Sequence, residues 1–324
     1  MSGSLLGKRC SIMTWGESHG VGVGVVIDGV PSGLDLSIED IQQYLDRRKP
    51  GQSQYTTKRD EGDKVEILSG VFEGRTTGTP ISLMVHNCDQ HSKDYSDLAS
   101  AYRPGHADYT FDEKFGFRDY RGGGRSSGRE TIGRVAAGAI ASLVLSKLGI
   151  SLLTYTKSVG MVEATEVIPE YIMHNPLYMP EQSAYEAAKV VVEEAMQQGD
   201  SVGGVVECIV RGMPAGIGNP VFDKLDANLA KAMLSIGAAK GFEMGDGFEA
   251  AKLLGSQNND AFCMQDKSVM KRTNHSGGVL GGMSDGSDLI FRVAFKPTPS
   301  ISKEQQTITS YHEETTLVIK GRHD

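Results

Sequence analysis

The 324-residue sequence has one tryptophan, four cysteines, no run of about eighteen apolar residues and no excess of positive charge. The missing apolar run excludes a membrane-spanning helix of ordinary length. Met1 to Lys8 has no basic stretch leading into an apolar one, so no secretory signal peptide is expected. Cys10, Cys88, Cys208 and Cys263 are widely scattered and form no Cys-x-x-Cys pair, which predicts free thiols in a reducing cytoplasm. The net charge of −8 argues against a dedicated nucleic-acid binder, which needs a cationic surface.

What is present fits a globular chain with a sizeable core. Apolar residues are 39% and charged residues 23%. Neither a linker nor a low-complexity segment interrupts the chain, whose length suffices for one large domain or two ordinary ones. Ser37 is an N-cap candidate for a helix from Ile38 to about Arg48, stopped by Pro50-Gly51. Ser127-Gly128-Arg129-Glu130 is a capping box opening a helix to about Leu148, apolar almost all round and expected to be buried. Further helices are expected at about Glu181 to Gln198 and Val221 to Leu234. Strands are expected at Val21–Ile27, Val65–Leu68, Ile81–Val85, Val205–Val210, Leu289–Ala294 and Thr315–Ile319. No regular βαβ rhythm links them, which favours an α+β fold with antiparallel sheets. Asp28-Gly29-Val30-Pro31-Ser32-Gly33 and Arg211-Gly212-Met213-Pro214-Ala215-Gly216 form a weak internal echo, which convergent turn chemistry explains almost as well.

Charge is distributed unevenly. Five arginines (Arg118, Arg121, Arg125, Arg129, Arg134) crowd a stretch holding only Asp119 and Glu130, which suits a small, multiply anionic ligand. Within it, Gly122-Gly123-Gly124 leads into the capped helix start, where free N–H groups favour an anion. A P-loop reading fails, because Arg129 and Glu130 follow Gly128 where lysine and a hydroxyl residue are required. Gly20-Val21-Gly22-Val23-Gly24 leads to a turn and not to a helix, so a Rossmann reading fails too. His19 and His106 each stand beside glycine in a loop, where an imidazole can exchange protons near neutral pH. Either also reads as a satisfied structural histidine. Arg103 lies three residues before His106. Arg47-Arg48-Lys49 supplies guanidinium forks, although a basic helix C-terminus needs no ligand to explain it. His86, Cys88 and His91 form a coincidental-looking metal set, so no metal is expected.

Taken together, Gly16-Glu17-Ser18-His19-Gly20, Arg47-Arg48-Lys49-Pro50-Gly51, Arg103-Pro104-Gly105-His106-Ala107-Asp108, Asp119-Tyr120-Arg121-Gly122-Gly123-Gly124-Arg125-Ser126-Ser127 and Gly321-Arg322-His323-Asp324 resemble the chorismate synthase family over essentially the whole chain. The resemblance implies a β-α-β sandwich with antiparallel sheets around central helices, a homotetramer, and a carbon–oxygen lyase acting on 5-enolpyruvylshikimate 3-phosphate. The implied reaction is a 1,4-anti elimination that expels the 3-phosphate and a C6 proton. It requires reduced FMN, which lends an electron transiently without net oxidation. By the same resemblance His19, His106 and Asp324 are catalytic. FMN falls to Arg125, Ser126, Ser127, Gly237, Ala238, Gly281, Lys296, Pro297, Thr298, Pro299, Ser300 and Arg322. Substrate falls to Arg48, Arg103, Arg129 and, shared with flavin, Arg322. Gln54 replaces an arginine common in the family, Gly237 replaces an asparagine, and the final helix that normally follows Asp324 is expected to be missing. Two rival readings stand beside this one: a non-catalytic flavin or anion binder, and an NADPH-dependent flavin reductase. Two loop histidines beside arginines argue against binding alone.

Overall fold

In the computed structural model, which describes residues 3–56, 62–88 and 100–319, the chain divides into two units, Met1–Val144 with Pro299–Asp324, and Leu145–Thr298. The first is built on an antiparallel sheet of β1 (Leu5–Gly7), β2 (Ser11–Gly16), β3 (Gly22–Asp28), β4 (Val65–Ser69) and β5 (Ile81–His86), in the order β1-β2-β3-β5-β4. Strand β3 is buried on both faces, which suits its central position. Its Val23, Val25 and Ile27 join Ile81, Leu83 and Val85 in one cluster with residues of α1 (Ile38–Arg48) and of the later helix Thr131–Lys147. Each such side chain, fully buried, contributes about 1.5–3 kcal/mol.

Helix α1 forms for the expected reason. Ser37 Oγ accepts from Asp40 N at 3.2 Å, and Asp40 Oδ2 accepts from Ser37 N at 2.8 Å, which closes a capping box. Ile41 and Leu45, one turn apart, are its buried residues. Helix α2 (Asp108–Phe115) has no side-chain cap and was not expected. Helix α3 (Thr131–Lys147) starts from a 3-10 turn, Gly128–Glu130. Gly133 lets it approach β3: a Cβ there would lie 3.0 Å from the Gly24 carbonyl oxygen. The expectation of burial almost all round needs correction. Burial runs from Ile132 to Ile140, and from Ala141 onward the helix is half-buried or exposed.

The second unit holds β6 (Ser151–Val159), β7 (Val162–Glu163), β8 (Gly204–Arg211), β9 (Ala239–Met244) and β10 (Leu289–Phe295), antiparallel in the order β9-β10-β8-β6-β7. On one face Cys208, Val210, Leu289, Phe291 and Val293 form a core, joined by Leu225, Leu229 and Met233 of α5 (Leu225–Leu234). Before it in the chain, α4 (Gln182–Gln197) buries Ala184 and Ala188 in a cluster with Val159, Ala164 and Met179. A polar row crosses four strands. Tyr155, Glu207, Arg292 and Glu243 stand opposite one another in β6, β8, β10 and β9. The Tyr155 hydroxyl donates to Glu207, while Arg292 donates to Glu207 Oε2 (3.2 Å) and Glu243 Oε2 (3.3 Å). Burial, with the Glu207 carboxylate beside it, pushes the Tyr155 phenol above its ordinary range.

The fold is α+β with antiparallel sheets. All six expected strands exist with ends moved by a residue or two. The helix expected from Val221 begins at Leu225. Strands β1, β2, β6, β7 and β9 lie outside the six expected. Among the described residues no helix is long and apolar enough to cross a membrane.

Candidate active site

The glycine-rich loop adopts a conformation that needs glycine. Gly122, Gly123 and Gly124 all have positive φ, at 67, 83 and 52°. A Cβ on Gly122 would lie 2.4 Å from His19 Cε1 and 2.8 Å from Ser18 Oγ, so the loop is laid directly against the histidine. His19 is buried, with Nδ1 3.1 Å from Ser18 Oγ; that hydroxyl in turn donates to the Gly122 carbonyl at 3.3 Å. With the hydroxyl proton directed at the carbonyl, the Nδ1–H tautomer of the neutral ring would donate to the serine oxygen, and the imidazole can exchange protons near neutral pH. Arg121 holds the Asp119 carboxyl below its ordinary range, with a smaller contribution from nearby His19.

His106 is fixed in the same sense. Its Nδ1–H donates to the Pro104 carbonyl at 3.0 Å, and Nε2 lies 2.9 Å from Ser300 Oγ. In the neutral ring Nε2 accepts from the serine. Arg103, three residues upstream, makes a buried two-pronged pair with Asp108 at 2.8 Å for both bonds. Burial by itself raises the Asp108 carboxyl, but the hydrogen bonds and charge of Arg103 outweigh it, and the net shift is downward.

The crowded arginines each find an acceptor inside the protein. Arg118 binds Asp112 (3.0 Å), Arg121 binds Asp119 (2.8 Å), and Arg134 binds Glu130 (2.8 Å). Arg125 donates to the carbonyls of Gly16 and Thr14, at 3.0 Å each. Arg129 is 2% exposed; Nη1 donates to Asp63 Oδ1 at 3.1 Å and Nε to Asn87 Oδ1 at 2.8 Å. Asp63 also accepts from Arg48 Nη1 at 2.7 Å, so one fully buried carboxylate faces two guanidiniums. Neither Asp63 nor Asn87 was singled out by the sequence. The capping box at Ser127 is half formed: Ser127 Oγ accepts from Arg129 N at 3.4 Å, but Glu130 turns instead to Thr14 and Arg134.

The first unit therefore brings His19, Arg48, Arg103, His106, Arg125, Ser126, Ser127, Arg129, Pro299 and Ser300 into one body. Gly237, Ala238, Gly281, Lys296, Pro297 and Thr298 belong to the second unit. There Lys296 N donates to the Ala238 carbonyl at 3.0 Å, and Ser201 Oγ donates to the Thr298 carbonyl at 2.7 Å. Ala238 has φ +67, a region that costs a residue with a Cβ about 1–2 kcal/mol and that clusters at functional sites. Among the described residues, no atom beyond Gly237 and its two chain neighbours lies within 4 Å of a Cβ built there. Arg322, Asp324 and His91 lie outside the described residues. Of the weighed metal set, His86 lies 3.5 Å from Glu66, and among the described residues no group of three metal-ligating side chains occurs.

Comparison with known proteins gives a consistent result. The family model for chorismate synthase matches residues 10–324. The chorismate synthase of Agathobacter rectalis is 63% identical, covering 100% of this chain and 89% of that protein. That of Methanosarcina mazei is 54% identical, covering 100% and 90%. A crystal structure of chorismate synthase superposes with a TM-score of 0.77 at 33% identity, over 90% of this chain and 86% of that one.

Proposed function

The chain belongs to the chorismate synthase family, and on that footing we propose that it binds reduced FMN and uses His19 and His106 as its two proton-transfer groups. As a family member it is a carbon–oxygen lyase that eliminates phosphate from 5-enolpyruvylshikimate 3-phosphate to give chorismate. When bound, reduced flavin supplies transient electron density that weakens the C–O bond to be broken. Every other task falls to side chains.

The observation that carries the assignment is the pairing of each histidine with a different part of the site. His106 Nε2 meets Ser300, a residue matched to flavin, so His106 serves the protonation state of the cofactor. His19 is packed on the Gly122 loop, beside the turn that leads to Arg129, so in its imidazolium form its Nε2–H gives a proton to the departing phosphate and leaves the ring neutral. Ser126, Ser127 and Ser300 of the first unit supply hydroxyls suited to the flavin, and Lys296 of the second supplies a cation suited to its phosphate. Arg48, Arg103 and Arg129, pre-oriented by Asp63 and Asp108, hold the anionic substrate. Because the carboxylates order these guanidiniums beforehand, less side-chain entropy is lost at the moment of binding. Asp324 is read as the base for the C6 proton.

As the family resemblance implies, residues 1–324 are read as one catalytic domain. The same resemblance implies a homotetramer, and four free thiols support a cytoplasmic setting. The test is anaerobic phosphate release from 5-enolpyruvylshikimate 3-phosphate with chemically reduced FMN. Release with equimolar chorismate is expected. Tight FMN binding without phosphate release would favour the non-catalytic binder, and flavin reduction by NADPH alone would favour the reductase.

A further inference from the structure

Asn87 is a single polar residue just beyond β5, and it engages every polar group of its side chain. Its Nδ2 donates to the carbonyls of Glu17 and Gly20, both at 2.9 Å, while its Oδ1 accepts from Arg129 Nε at 2.8 Å. Its backbone N–H donates to the Val21 carbonyl at 3.1 Å. Glu17 and Gly20 are the two ends of the turn that carries Ser18 and His19, closed by Gly20 N to the Glu17 carbonyl at 3.1 Å. Carbonyls only accept and a guanidinium only donates, so the orientation of the amide is fixed by its partners. An aspartate of the same shape has no donor for the carbonyls, and an alanine bridges nothing.

We infer that Asn87 is a positioning residue that sets the His19 turn in register with Arg129, so that the proton donor and an anion-gripping arginine share one brace. The side-chain amide of Asn87 is engaged with protein partners on each of its polar groups, and it acts through His19. The inference rests on the proton-transfer role assigned above to His19. Displacement of a reacting group by about 1 Å costs on the order of 10²-fold in rate, so loss of the brace is expected to lower kcat by about 10- to 100-fold. A merely structural residue would lower the amount of active enzyme without changing how its loss combines with loss of His19.

The experiment is a mutant cycle on the full chain with reduced FMN, joined to a measurement that needs no turnover. Asn87→Ala is expected to reduce kcat by about 10- to 100-fold with FMN affinity unchanged, and Asn87→Ala/His19→Ala is expected to be no slower than His19→Ala alone. Losses that multiply in the double variant would overturn the inference. Independently, histidine side-chain NMR, with the His19 signal assigned from its loss in His19→Ala, is expected to show a His19 titration displaced in Asn87→Ala. Superimposable titration curves would overturn the inference even if the wild-type protein released no phosphate, an outcome that would instead sink the assigned reaction. Should Asn87→Ala fail to fold, Asn87→Ser retains one donor and is held to the same two criteria.

Discussion

Asp63 is the most informative residue to perturb. Its carboxylate is fully buried between Arg48 Nη1 (2.7 Å) and Arg129 Nη1 (3.1 Å). Asp63→Asn keeps the shape, removes the charge, and turns an N–H₂ group toward one of the guanidiniums. Removing one partner of a buried ion pair costs about 3–5 kcal/mol. Arg48 is 17% exposed and can swing toward water, whereas Arg129 at 3% cannot, so a cost near the lower end, about 3 kcal/mol, is expected. Unfolding entropy of about 2.1 cal/mol/K per residue sums to about 0.7 kcal/mol/K over 324 residues, so Tm should fall by about 4–5 °C. The drop should persist in 0.5 M salt, because buried charges are poorly screened. Thermal melts by circular dichroism without ligand, at low and high salt, measure both. A Tm within about 1 °C of wild type, or a loss erased by salt, would refute the idea that Asp63 neutralises a buried pair of arginines. The same reasoning reverses an expectation drawn from helix position alone, where a cation in the first turn near Ser127 is mildly unfavourable. Arg129→Ala should destabilise the ligand-free protein by about 3 kcal/mol, and should also weaken substrate binding.

Three further outcomes are expected. His106→Ala should fold and bind substrate but lose about 10²- to 10⁴-fold in turnover; a wild-type rate across the pH range would remove it from the mechanism. Gly122→Ala forces a Cβ to within 2.6 Å of His19 Nδ1 on backbone at φ +67, so activity and Tm should fall together; an active, unshifted variant would show that the loop moves freely away from His19. The Asp108 carboxyl is depressed when folded, so its contribution is complete above the unfolded value of about 3.9 and is lost as pH falls through the folded one. Asp108→Asn should therefore be less stable at pH 7 and show a flatter acid limb in denaturant titrations, and an unchanged acid limb would contradict this.

Much of the scaffold was legible because its signals are local. Ser37, the Ile41–Leu45 spacing and Pro50-Gly51 bound α1 without reference to the rest of the molecule. Strand β6 escaped because Ser151–Val159 mixes leucine, threonine, tyrosine and lysine with no clean alternation, and one of its two buried members, Tyr155, is held by a polar partner in another strand. Helix α2 escaped because Ala107 offers no cap. At the site, the histidines and glycines stood out through loop chemistry. Asp63 and Asn87 did not, since they lie 66 and 42 positions from Arg129 and only the fold joins them. The five arginines suggested a shared anion because they are close in sequence, yet turn and helix geometry sends them to five different protein acceptors.

The row Tyr155–Glu207–Arg292–Glu243 settles a question that apolar patterning leaves ambiguous. Alternation repeats every second residue, so sliding β8 two places along β10 returns an apolar residue to every core position. Hydrophobicity therefore encodes the alignment of these strands only up to an even number. A two-place slip would set Glu207 against Ala294 or Ile290 in place of Arg292, stranding a buried carboxylate at a cost of several kcal/mol. A slip of β9 along β10 would be registered in the same way, where Arg292 answers Glu243. The row works as a checksum on the sheet, one digit per strand. Replacing Glu207 with leucine would then leave an adequate core while making several alignments nearly equal in energy, a loss of uniqueness more than of cohesion.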